Sequence, residues 1–399
     1  MSQTKYQVWL SMQTAVSVST KLALLEHYGS AENVYSADVN EYKTVEGVRA
    51  SDIGKMADKT LDAAERALEI CKKISCNIIT LDDELYPDRL KNIYEPPLLL
   101  YVLGQLPIID DLPVIAVVGT RNCTSYGRKA AEKIGYHLAK RGLTVTTGLA
   151  KGIDSAAARG ALRGDGPVIG VIGSGVDIVY PKENKELFQN VIESGAIVSE
   201  YAPGSPALSF HFPARNRILS GLSLGVTVIE APIRSGALIT ASRALEQGRD
   251  VFVLPGNTDS RTSEGSNKLL REGAIPILSG EDIVSEYADQ FVDTLFQIDN
   301  VDINASGVKM DTRNKKDAGN KKEIDNSAFV DYIDFDEVIK ELDGDEKVIA
   351  KILIGKELYS DDIIIITGLM AQQVASALTM LEIKGIAACT SGLWRLTGL

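Results

Sequence analysis

The sequence predicts an α/β protein whose middle part is a doubly wound parallel sheet. Six short runs rich in Val and Ile, from VIAVVG at Val114 to DVFVLPG at Asp250, each enter a loop that contains Gly or Pro. Amphipathic stretches such as Ser125 to Arg141 lie between these runs, with apolar residues at helical spacing. Because the runs are continuously apolar rather than alternating, helices should cover both faces of the strands. The repeated order of strand, loop and helix is typical of a doubly wound sheet.

The composition is that of an ordinary globular protein. Hydrophobic residues make up 45% and charged residues 24% of the 399 residues, which excludes disorder of the whole chain. No apolar run reaches the ~18–20 residues of a membrane span, and the N-terminus lacks the pattern of a secretory signal. We therefore expect a cytoplasmic protein with no membrane contact. The 4 Cys and 3 His are scattered, so the sequence predicts neither a metal site nor a bound cofactor.

The charge is divided unevenly along the chain. The whole chain carries 42 Lys and Arg against 54 Asp and Glu, a formal net charge of −12. The stretch from Asp111 to Gly280 carries 19 Lys and Arg against 15 Asp and Glu, so the middle is mildly basic and the flanks are acidic. This division does not by itself predict nucleic-acid binding, because the placement of charge matters more than its sum.

Composition and periodicity divide the chain into four parts. The N-terminal part contains short helices, with Gly29 and Ser30 between two of them. A later stretch contains NKKDAGNKKEIDN and few aliphatic side chains, which is typical of a polar linker. The C-terminal part contains helices followed by a small hairpin. The predicted parts are a helical domain (1–75), a sheet core (76–285), a polar linker (286–342) and a winged-helix-like domain (343–399).

The first Gly-rich loop, GTRNCTSYG from Gly119 to Gly127, follows a strand and opens a helix. We expect bare amides and a helix N-terminus to face a phosphate there. Arg121 stands where the second glycine of G-x-G-x-x-G would be, and no G-K-[ST] follows, so the loop is neither a dinucleotide fingerprint nor a P-loop. An arginine at this place suits an anionic ligand, because its guanidinium forks onto a phosphate. The alternative is a structural tight turn with an exposed arginine.

Four further loops bring basic residues or free amides to the same edge of the predicted sheet. They contain GLAKGIDS, GSGVDIVYPKEN, HFPARNRILS and APIRSGALIT. Ligands of open α/β sheets bind at the carboxyl ends of the strands, where all these loops meet. The candidate ligand-binding residues on this edge are Gly119, Thr120, Arg121, Gly127, Lys151, Gly152, Gly173, Gly175, Lys182, Asn184, Arg215, Asn216, Arg217, Ser235 and Gly236.

The same edge lacks a recognisable catalytic arrangement. There is no G-x-S-x-G elbow, and no His is paired with Ser or Cys in a known order. Glu230 and Asp154 are the carboxylates that a catalytic role would use. Such residues more often cap a helix or pair with a neighbouring arginine, so we expect no catalytic residues.

In order along the chain, these blocks resemble the signature blocks of the DNA processing protein A family (DprA, also called Smf). The blocks are GTRNCTSYG, GLAKGIDSAAARGAL, GSGVDIVYPKEN, SEYAPGSPALSFHFPARNRILSGLSLGVTVIEA, SGALITASRALEQGRDVFVLPG and EGSNKLLREGA. The resemblance covers about Tyr86 to Val284. It implies an extended Rossmann-like core that binds single-stranded DNA without sequence preference, protects incoming DNA and loads the RecA recombinase in natural transformation. It also implies a protein that is not an enzyme.

The resemblance further implies a homodimer and two terminal domains. We expect Leu269 and Leu270 to face a partner across a two-fold axis, and the alternative is that both pack into their own core. The flanks agree with a helical domain of the SAM or helix-hairpin-helix type and with a winged-helix-like domain. The helix from Met370 to Lys384 has only Lys384 as a basic residue, which favours protein contact over DNA contact for that domain. Ala214 stands where the family commonly has an arginine.

Two enzyme classes remain as alternatives. The lysine-decarboxylase-like phosphoribohydrolases share this kind of sheet and its phosphate-binding edge, but they carry a P-G-G-x-G-T run with a nearby catalytic Glu. The corresponding stretch here, APIRSGALIT, lacks that run. An NAD-dependent oxidoreductase requires G-x-G-x-x-G, and Gly173-Ser174-Gly175 has no third glycine.

Overall fold

The computed structural model describes residues 4–292, 294–295, 342, 344–353, 358–384, 386–390 and 393–396. These residues form two compact units, which divide between Ala305 and Ser306. The first unit extends into the predicted linker, because Phe291 and Leu295 are only 9% exposed and pack against its core. Apart from Leu342, the rest of the predicted linker lies outside the described residues.

The described part of the first unit contains a nine-stranded sheet with the order β1-β2-β6-β5-β4-β3-β7-β8-β9. Its strands are β1 Asn77–Thr80, β2 Leu99–Gly104, β3 Val114–Val118, β4 Thr144–Thr147, β5 Val168–Val171, β6 Ala196–Ser199, β7 Gly225–Val228, β8 Asp250–Val253 and β9 Ile275–Pro276. The strands from β3 to β9 pair in parallel, which confirms the predicted parallel sheet, and β3 to β8 are its six predicted strands. The sequence analysis missed the two-residue strand β9 at one edge, and it missed β1 and β2, which extend the sheet beyond β6 in antiparallel pairing.

Helices cover both faces of this sheet, which confirms the doubly wound α/β fold. Within β3, Ile115 and Val117 join one buried apolar cluster with the helices α7 (Ser125–Lys140) and α8 (Ile153–Arg163). Val114, Ala116 and Val118 join a second cluster with the helices α10 (His211–Gly221) and α11 (Gly236–Glu246). No helix of the described residues is both long and apolar enough to cross a membrane. The helices are α1 Thr4–Ser11, α2 Val18–Tyr28, α3 Ala31–Ser36, α4 Ala50–Ile53, α5 Asp62–Lys73, α6 Asp88–Lys91, α7 Ser125–Lys140, α8 Ile153–Arg163, α9 Lys185–Ser194, α10 His211–Gly221, α11 Gly236–Glu246, α12 Glu264–Arg271 and α13 Gly280–Tyr287.

The N-terminal helices α1 to α5 share one core with the sheet. Trp9 and Tyr42 belong to the same buried apolar cluster as Leu99 and Tyr101 of β2. The predicted break between two helices is confirmed at Gly29, which ends α2 with a left-handed φ of 77°. Glycine adopts this conformation without the steric cost that a Cβ atom would bring. The helical part of the chain is therefore anchored to β2 through shared apolar packing.

The second unit has its own small core. Its elements are α14 Gly344–Leu353, β10 Leu358–Tyr359, α15 Ser360–Thr367, α16 Ala371–Ile383, β11 Ala387–Thr390 and β12 Leu393–Leu396. The strands form an antiparallel sheet with the order β10-β12-β11, and Leu353, Ile363 and Leu378 are buried beside it. Three helices with a three-stranded sheet are the parts that a winged helix needs, and the winged-helix assignment stays a prediction.

Candidate nucleic-acid-binding site

The order of the parallel strands reverses at β3, because β4 lies on one side of it and β7 on the other. In sheets of this kind the loops diverge at such a point and leave a crevice at the carboxyl edge. A cleft of about 510 Å³ lies there. It is lined by residues from the loops after β3 and β7, from the start of α8 and α10 and from Tyr180, and among them are Gly119, Thr120, Arg121, Asp154, Phe212, Arg215, Asn216, Arg234, Ser235 and Gly236.

The first helix N-terminus at this cleft is occupied by a carboxylate of the protein itself. Thr124 caps α7, since its hydroxyl accepts a hydrogen bond from the Gly127 amide at 3.0 Å. The Glu230 carboxylate accepts bonds from the Thr124 amide at 2.8 Å and from the Thr124 hydroxyl at 2.5 Å. A Cβ atom at Gly127 would collide with this carboxylate. The structure therefore corrects the expectation of bare amides here, because Glu230 stands where a phosphate was expected.

Asp154, in the first turn of α8, is a second buried carboxylate at the cleft. Backbone amides of Gly119, Gly148 and Ala150 donate hydrogen bonds to its carboxylate, that of Ala150 at 3.5 Å. Asp154 is 5% exposed, and this burial raises the pKa of its carboxyl although the nearby Arg215 guanidinium and the amides oppose the rise. Asp154 and Glu230 thus serve as an arginine partner and a helix cap, which are the structural roles expected for them.

Arg215 forms the floor of the cleft and is also only 5% exposed. Its Nε donates to the Asn216 side chain at 3.0 Å, and its Nη1 donates to the Val171 carbonyl. Burial lowers the pKa of Arg215 to about 10, with Asp154 acting against the decrease. The inner wall of the cleft, which we define as Asp154, Arg215 and Glu230, therefore satisfies its charges internally.

The outer rim, which we define as Arg121 in the lining of the cleft and Lys182 next to the crevice residue Pro181, is different. Arg121 and Lys182 are both exposed, and neither side chain has an ion-pair partner in the described part of the chain. The Arg121 guanidinium carbon lies 5.2 Å from the centroid of the Phe212 ring, and the Tyr180 ring lies 5.4 Å from that ring. At Arg121 the rim therefore joins an unpaired cation to aromatic surface. Tyr180, Phe212 and Arg234 were not among the candidate residues, although the YP and FP pairs in the sequence marked the two aromatic positions.

Two predicted candidates are engaged inside the protein. The Arg217 guanidinium forms a two-pronged ion pair with the Glu200 carboxylate, at 2.9 and 2.7 Å, and its side chain is 12% exposed. Burial opposes this charge, but Glu200 outweighs it and raises the pKa of Arg217. The Asn184 amide group is buried and donates to the Leu149 carbonyl at 2.9 Å and to the Ser155 hydroxyl at 2.8 Å. Neither side chain is available to a ligand, so both drop out of the candidate site.

The remaining candidates divide into ligand-facing and structural positions. Gly119, Thr120, Asn216, Ser235 and Gly236 line the cleft, and Ser235 also caps α11 by accepting a bond from the Ala237 amide. The residues that shape the neighbouring loops rather than line the cleft are Gly127, Gly152, Gly173 and Gly175. Lys151 lies with Arg121 in an adjoining narrow crevice.

Leu269 and Leu270 lie on α12 at the far end of the sheet. Both are half-buried and pack against the second apolar cluster. Each leucine therefore packs partly into the core of its own chain and keeps an exposed part. The prediction that this exposed part faces a partner stays a prediction. No group of three or more His, Cys, Asp and Glu that would suit a metal ion occurs among the described residues.

Comparison with known proteins identifies the family. A family model described as DNA recombination-mediator protein A matches residues 77–288. DNA processing protein DprA of Streptococcus pneumoniae is 40% identical over 288 residues, which cover 72% of this chain and 99% of that protein. Protein Smf of Synechocystis is 38% identical over 291 residues, which cover 71% of this chain and 73% of that protein. The X-ray structure of the Streptococcus pneumoniae protein matches 71% of this chain and 98% of that chain, with a TM-score of 0.61 and 36% identity. The chain therefore belongs to the DNA recombination-mediator protein A family, the DprA or Smf proteins.

Proposed function

We propose that this protein binds single-stranded DNA at the outer rim of the cleft and acts as a recombination mediator without catalysing a reaction. The observation that carries the proposal is the unpaired Arg121 guanidinium beside the Phe212 and Tyr180 rings, with the unpaired Lys182 two residues beyond Tyr180, on an acidic protein. Cations of this kind hold phosphates, and aromatic faces stack on bases of any sequence. Together they suit an unpaired strand whose bases are accessible.

The inner wall supports the same proposal because its helix N-termini are not available to a phosphate. The Glu230 carboxylate occupies the N-terminus of α7, which would otherwise attract a phosphate, and the first amides of α8 donate to the Thr120 and Ala150 carbonyls. Phosphate contacts then depend on side chains at the rim, which adapt to a flexible strand more readily than rigid amide loops. Contacts to the phosphate backbone carry no sequence information, so binding is expected to tolerate any sequence.

The finer assignments rest on family membership. We include in the proposal that the protein works in the cytoplasm, protects incoming DNA and loads the RecA recombinase in natural transformation. We also include a homodimer that uses the half-buried Leu269 and Leu270 of α12. A single strand longer than one sheet edge is held better by two edges than by one.

The test is the salt dependence of binding to a labelled oligo-dT, followed by fluorescence anisotropy. Each phosphate neutralised on a single strand adds about −0.7 to the log–log slope, so two to three contacts imply about −1.4 to −2.1. A duplex of the same length serves as the control and is expected to bind more weakly. A slope near zero, or preference for the duplex, would contradict the proposal.

The phosphoribohydrolase alternative is not favoured. Its catalytic carboxylate must reach the substrate, whereas Glu230 is 2% exposed and accepts hydrogen bonds from Thr124. A nucleoside-monophosphate hydrolysis assay on the same preparation separates the two functions, and we expect no turnover.

A further inference from the structure

Lys151 is the cation beside the cleft that is already paired. Its Nζ lies 2.6 Å from the Glu183 carboxylate, and the two side chains are 56% and 65% exposed. Lys151 lines a narrow crevice together with Arg121, Tyr180 and Phe212, so its ammonium group lies beside the outer rim. A hydrogen bond from Lys151 lowers the pKa of Glu183, which keeps this carboxylate charged at neutral pH.

The backbone on both sides of this ion pair is held in place. Gly152 has a φ of 82°, and a Cβ atom there would collide with the carbonyls of Thr120 and Arg121, so the loop after β4 packs tightly on the loop after β3. Asn184, next to Glu183, is buried and donates to the Leu149 carbonyl at 2.9 Å. The loops that carry Lys151 and Glu183 are therefore joined by a buried hydrogen bond.

This anchoring distinguishes the pair from most ion pairs on protein surfaces. An ordinary exposed pair contributes little, because two long side chains must be ordered to form it. Here the two backbone positions are already set at the correct separation, so less entropy is lost when the pair forms. The Glu183 carboxylate is accordingly a persistent internal anion at the place where Lys151 would meet a phosphate.

We propose that Glu183 competes with DNA phosphate for Lys151 and so sets the affinity of the cleft for single strands. The inference rests on the proposed function, since it concerns the same ligand. In the wild-type protein Lys151 keeps its carboxylate partner, and Arg121 and Lys182 carry the phosphate contacts. Glu183 is thus a positioning residue, which acts on the ligand through Lys151.

A double-mutant cycle on oligo-dT affinity tests this proposal. Glu183→Gln is expected to bind three- to tenfold more tightly than wild type, with a log–log salt slope steeper by about 0.7 because one more phosphate is neutralised. Lys151→Ala is expected to cost at most twofold in the wild-type background. In the Glu183→Gln background the same substitution is expected to cost the whole three- to tenfold gain.

Glu186→Gln is the matched control, because Glu186 is an exposed residue one helical turn beyond Glu183 and has no ion pair in the described part of the chain. It removes the same charge and is expected to change affinity less than twofold. Two results would overturn the inference: an equal cost of Lys151→Ala in both backgrounds, or equal tightening by Glu186→Gln and Glu183→Gln. If neither wild type nor any variant binds oligo-dT, the proposed function itself fails, and this inference fails with it.

Discussion

The inner wall and the outer rim of the cleft use charge in opposite ways. Asp154, Arg215 and Glu230 in the wall are buried, and each finds its partners within the chain. Arg121 and Lys182 on the rim are exposed and have no carboxylate partner among the described residues. The two regions are built from neighbouring loops, so the difference lies in burial and pairing rather than in distance from the ligand edge.

A Gly-rich loop before a helix is therefore not sufficient for a phosphate site. The loop from Gly119 to Gly127 has the pattern, yet Glu230 accepts the hydrogen bonds that a phosphate would accept. A carboxylate buried at a helix N-terminus satisfies the same donors and the same dipole as a bound anion. Substitutions in the wall should therefore affect folding, and substitutions on the rim should affect binding.

The largest effect is expected from the wall. Arg215→Met removes the positive charge that offsets the burial of the Asp154 carboxylate, together with the hydrogen bonds to Asn216 and Val171, and should lower the free energy of unfolding by about 3–5 kcal/mol at neutral pH. The pKa of Asp154 is already raised, so the folded state of the variant takes up a proton before the unfolded state does as the pH falls. The loss should therefore shrink on acidification, which urea unfolding at several pH values measures.

The control for this prediction is the double variant Arg215→Met with Asp154→Asn, which removes both charges and should recover much of the stability. Equal stability of Arg215→Met and wild type at neutral pH would mean that the wall does not depend on the balance of these two buried charges.

The next effect is expected from the rim. Arg121→Ala and Lys182→Ala should each weaken single-strand binding about ten- to a hundredfold, because a charge-assisted contact contributes roughly 1.5–3 kcal/mol. The two losses should be nearly additive if separate phosphates are bound. Anisotropy titration measures the affinities, and unchanged melting temperatures would separate lost binding from lost folding. Unaltered affinity in both variants would move the DNA site away from the rim.

A smaller effect on stability is expected from removing Glu230, because this change gives the inner wall a free anion site. Glu230→Ala removes the carboxylate that accepts from Thr124 and should destabilise the protein by about 1–2 kcal/mol, as the loss of a helix cap does. The vacated N-terminus of α7 then resembles a free anion site. Added sulfate should raise the melting temperature of this variant more than that of wild type, whereas Glu246→Ala, on the exposed end of α11, should respond like wild type. An equal response of all three proteins would count against the role assigned to Glu230.

The smallest effect is expected in the second unit. Lys384 follows α16 and forms an exposed ion pair with Glu346 at 2.6 Å, a contact of about 0–1 kcal/mol. Lys384→Ala should change single-strand affinity less than twofold. If it abolished binding while Arg121→Ala left binding intact, the DNA site would lie in the second unit.

Much of the fold could be predicted from the sequence because its signals are local. Runs such as the one at Val114 are short, apolar on both faces and followed by Gly or Pro, and this combination is typical of a buried parallel strand. The break between α2 and α3 was readable from Gly29 for the same reason, since the conformation of one residue determines it. The resemblance to a known family added the order of the blocks and the expected ligand.

The candidate site was harder to predict because pairing partners come from distant parts of the sequence. Arg217 stood two residues from Arg215 in one motif, yet its partner Glu200 lies on another loop. Lys151 and Glu183 are 32 residues apart, and nothing local indicates that they meet. The sequence thus identified which charges approach the edge, but the three-dimensional fold decides which of them remain unpaired.

The reversal of strand order at β3 has a consequence for protein synthesis. Thr124 and Glu230 are 106 residues apart, and the β3–β7 ladder pairs Ile115 with Gly225. A chain emerging from the ribosome therefore completes β3, β4, β5 and β6 well before the strand that closes the cleft is translated. Until the loop after β7 leaves the exit tunnel, the amide and hydroxyl of Thr124 lack the carboxylate that accepts their hydrogen bonds in the folded protein, so the start of α7 is the part of this edge that is completed last.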